Sequence, residues 1–238
     1  MKSASYNYEE EIPAGFYDDI YRRRGGVRYC WHDLKFRSVA AGLPRSGKHL
    51  DIGCGPGTFI GNYLDNIEAL GIDLSASQIE YANRHYSTGA HRFSTQSVDS
   101  LLESGDRFDA ITMIELVEHL APGDAIQLFK QTRRLLSPNG ILIVTTPNYR
   151  SAWPLIERAV NLVSPVSYEQ QHINKYSRTR LIRHLSEAGY RHVSVRTIVG
   201  FAPFAAVLGT KPARWLNAIE AGAGHLGCGN LLLATARA

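Results

Sequence analysis

An α/β fold built on a doubly wound, mainly parallel seven-stranded sheet is predicted by three observations. Short apolar segments rich in β-favouring residues alternate with segments of helix length. A glycine-rich bend, Gly53-Cys54-Gly55-Pro56-Gly57, follows the first of those segments. The composition is that of an ordinary globular chain, 44% hydrophobic and 20% charged over 238 residues, long enough to bury a substantial core.

In chain order, residues 1–27 are polar and aromatic, with Arg22-Arg23-Arg24-Gly25-Gly26 breaking any long pattern, so 1–30 reads as an N-terminal arm. A helix is expected over 31–42, stopped by Gly42-Leu43-Pro44. Strands are expected at 48–52, 69–73, 91–96, 108–114 and 140–146, and helices at 57–66, 76–86 and 122–136. Ser137-Pro138-Asn139-Gly140 reads as a turn into the fifth strand. After 146 the rhythm breaks. Trp153, Ile156, Val160 and Val163 recur at helical spacing with Glu157, Arg158 and Asn161 opposite, an amphipathic segment between Pro154 and Pro165. A helix at 178–188 and strands at 191–199 and 229–236 complete one domain, 1–238, with 150–176 as an insertion after the fifth strand.

Several function classes are excluded early. No apolar run approaches the ~18 residues that span a bilayer, and the first residues lack the apolar stretch of a signal peptide. Three cysteines, at 30, 54 and 228, form no Cys-x-x-Cys pair. That argues against a disulfide scaffold or a cysteine zinc site and suits a reducing cytoplasm. A net charge of +4 permits contact with an anionic surface without demanding it. Arg22-Arg23-Arg24 is one short run without a basic stripe interleaved with aromatics, so nucleic acid is a disfavoured partner.

In doubly wound folds ligands bind beyond the carboxyl ends of the strands. There, Asp51-Ile52-Gly53-Cys54-Gly55-Pro56-Gly57-Thr58 runs strand into loop into helix, and Gly71-Ile72-Asp73 ends the second strand on a carboxylate suited to both hydroxyls of a ribose. A dinucleotide fingerprint would carry glycine where Thr58 stands, and Asp51 would repel a pyrophosphate. A nucleoside with a positive charge and no phosphate fits better, which disfavours a dehydrogenase.

These residues, with Phe108-Asp109 and Leu136-x-Pro138-x-Gly140, resemble the class I S-adenosylmethionine-dependent methyltransferases over about residues 30–236. The resemblance implies S-adenosylmethionine as cofactor, held by Asp51, Gly53, Cys54, Gly55 and Gly57 of the loop and by Asp73 and Leu74. It places Gln96, Ser97 and Val98 at the adenine, Ile114 beside the cofactor, and Lys35 near the cofactor carboxylate. Gln96 stands where many members carry an acid.

After the fourth strand, Glu115-Leu116-Val117-Glu118-His119 puts 115, 118 and 119 on one face if a helix starts there. Two carboxylates and an imidazole can ligate a divalent cation such as Mg²⁺, or act as general base and orienting acid. Glu115, Glu118 and His119 are the expected metal set, and His119 or His172 the expected catalytic base. The Glu-x-x-Glu-His pattern resembles both the ubiquinone-biosynthesis O-methyltransferases and the RNA 3′-terminal 2′-O-methyltransferases. In the former type, a similar insertion forms a lid that touches membrane and lipid substrate. The function expected is O-methylation of a small aromatic, isoprenoid or lipid-like acceptor, with peripheral membrane contact. An RNA 2′-O-methyltransferase and a non-catalytic cofactor-binding scaffold are the alternatives.

Overall fold

The computed structural model describes residues 13–65, 67–163, 172–222 and 229–238. Helices α1 (Phe16–Arg22) and α2 (Gly26–Ala40) lead into β1 (Lys48–Ile52), α3 (Thr58–Tyr63), β2 (Glu68–Ile72), α4 (Ala76–Tyr86), β3 (His91–Ser94), α5 (Val98–Ser104) and β4 (Phe108–Ile114). A 3₁₀ turn (Val117–His119), α6 (Pro122–Leu135), β5 (Leu136–Pro147), α7 (Trp153–Val163), α8 (Arg178–Glu187) and β6 (Arg191–Ile198) follow. A 3₁₀ segment (Ala202–Leu208), α9 (Thr210–Gly222) and β7 (Leu231–Arg237) close the chain.

The seven strands lie in the order β3-β2-β1-β4-β5-β7-β6, parallel except for β7, which runs antiparallel to both neighbours. Each strand's alternation sends side chains to two buried faces. Ile111, Met113, Leu142 and Val144 pack under α6 and α8 through Phe129, Leu135, Leu181 and Leu185. Ile143, Leu231 and Leu233 pack on the other side with Leu34 and Val39 of α2, Ile60 of α3 and Ile79 of α4. The strand order reverses direction between β1 and β4, so the crevice above Ile52 and Ile114 is where the topology leaves room for a ligand.

Several expectations are corrected. The arm is helical over Phe16–Arg22, and the next helix begins at Gly26 rather than 31. Helices α5 and α9 were not expected; α5 spans seven residues and is set by its caps, Ser97 accepting from Ser100 N–H and Gly105 closing in the left-handed region. The 137–140 turn lies inside β5, where Asn139 has φ 66° and the register with β4 shifts, as at a bulge. No helix starts at Glu115, which has φ 53°. Of the insertion, 164–171 lie outside the described residues, as does Cys228.

Candidate active site

A cavity of about 360 Å³ opens over the carboxyl ends of β1, β2 and β4, within the size range of small-molecule sites. One end is made by the glycine loop. Gly53, Gly55 and Gly57 all have positive φ, a region costly for side-chain-bearing residues. A Cβ on Gly55 would meet nothing within 4 Å, whereas one on Gly57 would lie 2.8 Å from Phe93. Gly55 thus leaves space for a ligand, and Gly57 serves helix packing. Asp73 Oδ2 accepts from Gly55 N–H and Oδ1 from Ser75 N–H, both at 2.9 Å. Those bonds hold its carboxylate at the cavity wall. Asp51 is 2% exposed, and burial first, with the charge of Asp73, pushes its carboxyl up to about 7 against the hydrogen bond from Thr112.

The other end is made by side chains from distant segments. Glu118 is fully buried, and neither carboxylate oxygen has a partner in hydrogen-bond geometry among the described residues. Burial, reinforced by Glu115, lifts it to about 7 despite His172 nearby. Ligand atoms of Glu118, His119 and His172 lie within 4.8 Å of one another. His172 Nδ1 stands 2.5 Å from Glu157 Oε1, which also accepts from the Tyr149 hydroxyl at 2.9 Å. The carboxylate accepts, so the proton sits on Nδ1 and, in the neutral ring, Nε2 carries the lone pair. Burial lowers the His172 pKa, but the bond to Glu157 and the charge of Glu118 outweigh it and hold it above the usual value. Trp31, Trp153, Ile156 and Phe204 supply an apolar wall, the two indoles 5.4 Å apart.

The cavity brings together Lys35, Asp51, Gly53, Cys54, Gly55, Asp73, Ile114, Glu115, Glu118, His119 and His172. Gly57 lies behind it, and Leu74, Gln96, Ser97 and Val98 stand outside its lining; Leu74 is 85% exposed and Ser97 caps α5. Lys35 is ion-paired with Glu115. That pairing and the left-handed turn at 115 separate Glu115 from the 118–119 pair, so the group with metal-ligand spacing is Glu118, His119 and His172. Glu157 was expected on the polar face of its helix; it is 5% exposed and faces His172. Asp18 gave no sequence signal. It is fully buried and accepts from Thr58, Tyr81 and Tyr86 hydroxyls, pinning α1 to the loop helix. Thr58, the residue that breaks the dinucleotide fingerprint, is thereby a strut for the cavity's cover.

The donor set suits the cofactor the sequence resemblance implies. The loop's backbone is open at Gly55, the ribose-type acid is oriented, and no basic cluster for phosphate lines that end.

A family model described as a methyltransferase domain matches residues 21–195. The ubiquinone biosynthesis O-methyltransferase of Azorhizobium caulinodans is 30% identical over 151 residues, 62% of this chain and 55% of that protein. The enzyme of that name from Coxiella burnetii is 28% identical over 158 residues, 62% and 66% of the two chains. The chain thus spans less than two thirds of the length of either relative. Among solved structures, a SAM-dependent methyltransferase from Thermotoga maritima superposes with TM-score 0.68 at 17% identity, covering 97% of each chain. Magnesium protoporphyrin IX methyltransferase from Synechocystis PCC 6803, with SAH bound, gives 0.58 at 16% identity over 93% and 94%. The fold is therefore that of the SAM-dependent methyltransferases.

Proposed function

This chain belongs to the methyltransferase-domain family, and from that premise we propose that it transfers a methyl group from S-adenosylmethionine to an oxygen of a small aromatic or lipid-like acceptor. The observation that carries this reading is that one cavity is lined at one end by the glycine loop with Asp73 and at the other by His172, which is hydrogen-bonded to Glu157. The bound cofactor supplies an electrophilic methyl group on a sulfonium sulfur. Asp73 and the open backbone at Gly55 would hold its nucleoside, Asp51 would meet its positive charge, and Ile114 would lie alongside.

In-line transfer asks the protein to align the acceptor and remove its proton. His172 Nε2 takes that proton, and the resulting imidazolium is stabilised by Glu157 across Nδ1. The apolar wall of Trp31, Trp153, Ile156 and Phe204 holds the acceptor and keeps water from the methyl group. The O-methyltransferase relatives support oxygen as the target atom. Radiolabelled methyl transfer to catechol-type and polyprenyl-phenol acceptors tests the reading. Wild type is expected to label them, and His172→Asn to lose about 10²–10⁴-fold in turnover while still binding S-adenosylhomocysteine. Full activity in the variant would remove the base assignment, and labelling of RNA alone would favour the nucleic-acid alternative. Cofactor binding without transfer to any acceptor would favour a scaffold.

A second reading concerns a divalent cation. Among the described residues Glu118 is buried with both oxygens unsatisfied beside His119 and His172, a state that costs free energy unless an ion or proton arrives. Held by these three, a cation would polarise the acceptor oxygen in place of simple base chemistry. Turnover that survives exhaustive chelation excludes this reading and leaves the His172 base intact.

The proposal of membrane contact rests on exposed apolar side chains: Leu155 on α7 and Phe201, Val207 and Leu208, in the segments that also supply Ile156 and Phe204 to the cavity wall, and Trp215 on α9. No helix among the described residues is long and apolar enough to cross a membrane. Co-sedimentation with anionic vesicles, lost on Leu155→Asp, is the expected behaviour.

A further inference from the structure

His49 is a buried titratable group that the reading above leaves without a task. Strand alternation places it on the same face of β1 as Asp51, and the β1–β4 register sets Asp51 opposite Thr112. All three are sealed from bulk water: His49 is 1% exposed, Asp51 2% and Thr112 0%. His49 Nε2 lies 2.9 Å from Thr112 Oγ1, and the Thr112 hydroxyl donates to Asp51 Oδ1 at 2.5 Å.

The direction of this chain is set by elementary bonding. Burial lowers the His49 pKa to about 3, so the ring is neutral and carries one N–H. Its Nδ1 is buried with no hydrogen-bond partner among the described residues. The hydrogen therefore sits on Nε2 and points at Thr112, where an acceptor exists. Thr112 has a single hydrogen, and with its oxygen engaged by His49 it aims that hydrogen at Asp51. The second oxygen of Asp51 is left for the cavity. The other groups around Asp51 do not supply a counter-charge: Asp73 is a second carboxyl group that raises the Asp51 pKa, burial keeps the Cys54 thiol protonated, and the cavity's Lys35 is committed to Glu115.

We propose that His49 and Thr112 are positioning residues for the cofactor, acting through Asp51 to keep its carboxylate ionised and aimed at the positively charged ligand. This rests on the reading that S-adenosylmethionine occupies the glycine-loop end. A buried carboxyl that titrates near neutrality can meet a cation only after losing its proton. Binding a cation beside it therefore draws out that proton wherever the free protein still holds it. A permanent sulfonium makes this demand, and S-adenosylhomocysteine, which lacks it, makes less of one.

The test is calorimetric titration of the full chain with S-adenosylmethionine and with S-adenosylhomocysteine from about pH 5.5 to 8.5, in buffers of different ionisation enthalpy, so that protons released are counted. Wild type is expected to bind S-adenosylmethionine more tightly as pH rises and to release a larger fraction of a proton near neutrality with it than with S-adenosylhomocysteine. Thr112→Val removes the hydrogen bond to the ionised carboxyl; it should move the release window to higher pH and weaken S-adenosylmethionine binding at pH 7 about tenfold. Thr112→Ser should restore both. His49→Leu should shift the window the same way by less, and His49→Gln, which keeps an N–H, should not. Should Thr112→Val fail to fold, the two His49 variants decide the matter between them. A wild-type pH profile and proton count in folded Thr112→Val or His49→Leu overturns the positioning role while leaving the cofactor assignment standing. A wild-type protein that binds neither compound at any pH overturns both.

Discussion

The two ends of the cavity are built on different principles. The glycine-loop end is largely backbone: Gly53, Gly55 and Gly57 in the left-handed region, with Asp73 fixed by the N–H groups of Gly55 and Ser75. It comes from one continuous β1–α3–β2 stretch. The acid–histidine end is entirely side chain: Glu118 and His119 follow β4, Glu157 lies on α7, and His172 precedes α8. It draws two of its members, Glu157 and His172, from the stretch after β5. A subsite made of backbone tolerates change in most neighbouring side chains, whereas one made of converging side chains loses function with each. Damage at the first end should therefore appear as lost binding, and damage at the second as lost turnover.

The sharpest way to break that division is Asp73→Ala. It removes the carboxylate proposed to accept the ribose and its two bonds to the Gly55 and Ser75 N–H groups, so S-adenosylhomocysteine affinity should fall about hundredfold, while turnover at saturating cofactor stays within a few fold. Isothermal titration beside saturation kinetics reads both. A loss confined to turnover would erase the distinction between the ends.

Glu157→Gln should do the opposite, lowering turnover about tenfold or more with cofactor affinity unchanged. Its sign in pH can be worked out. The carboxylate holds the His172 pKa up, so activity needing the neutral imidazole rises with pH through a value above its ordinary one. Without the carboxylate that acid limb should move to lower pH, although the plateau is lower. An unshifted limb in the pH–rate profile would mean that Glu157 merely packs α7 against its neighbours.

Glu118→Gln gives an effect visible in stability rather than in turnover. Burial raises this carboxyl from its usual 4.5 to about 7, so the folded protein keeps a proton that the unfolded chain has released. Stability contributed by that proton falls as pH climbs between those values, and the full cost is in place above about pH 7. Glutamine avoids it, so the variant should gain on the order of 2 kcal/mol at pH 8, measured in chelator, and nothing near pH 4. A loss of stability at pH 8 would show Glu118 to be held by partners within the fold.

The β1-loop-β2 reading survives in the structure because its determinants are local. Strand, glycines and helix are neighbours in sequence, and positive φ at 53, 55 and 57 is something glycine adopts readily. The sheet and the helix after β2 follow from periodicity in the same way. Glu157 was misread because a hydrophobic stripe says which side of α7 is apolar and not what its other side will meet. Glu115 was misread because one left-handed residue and the pull of Lys35, 80 positions away, override the i, i+3, i+4 pattern. Asp18 offered no pattern at all; its partners Thr58, Tyr81 and Tyr86 are unremarkable until α1 folds back over them.

By itself, then, the order of residues decided the alternating architecture, the crevice at the strand ends and the glycine bend with Asp51 and Asp73 beside it, since each depends on nearest neighbours along the chain. Which acid serves which histidine was decided only by tertiary structure. Carboxylates and imidazoles from separated segments acquire their charge and their roles from burial and from a partner, such as Glu157 at 2.5 Å from His172, and sequence spacing encodes neither of these.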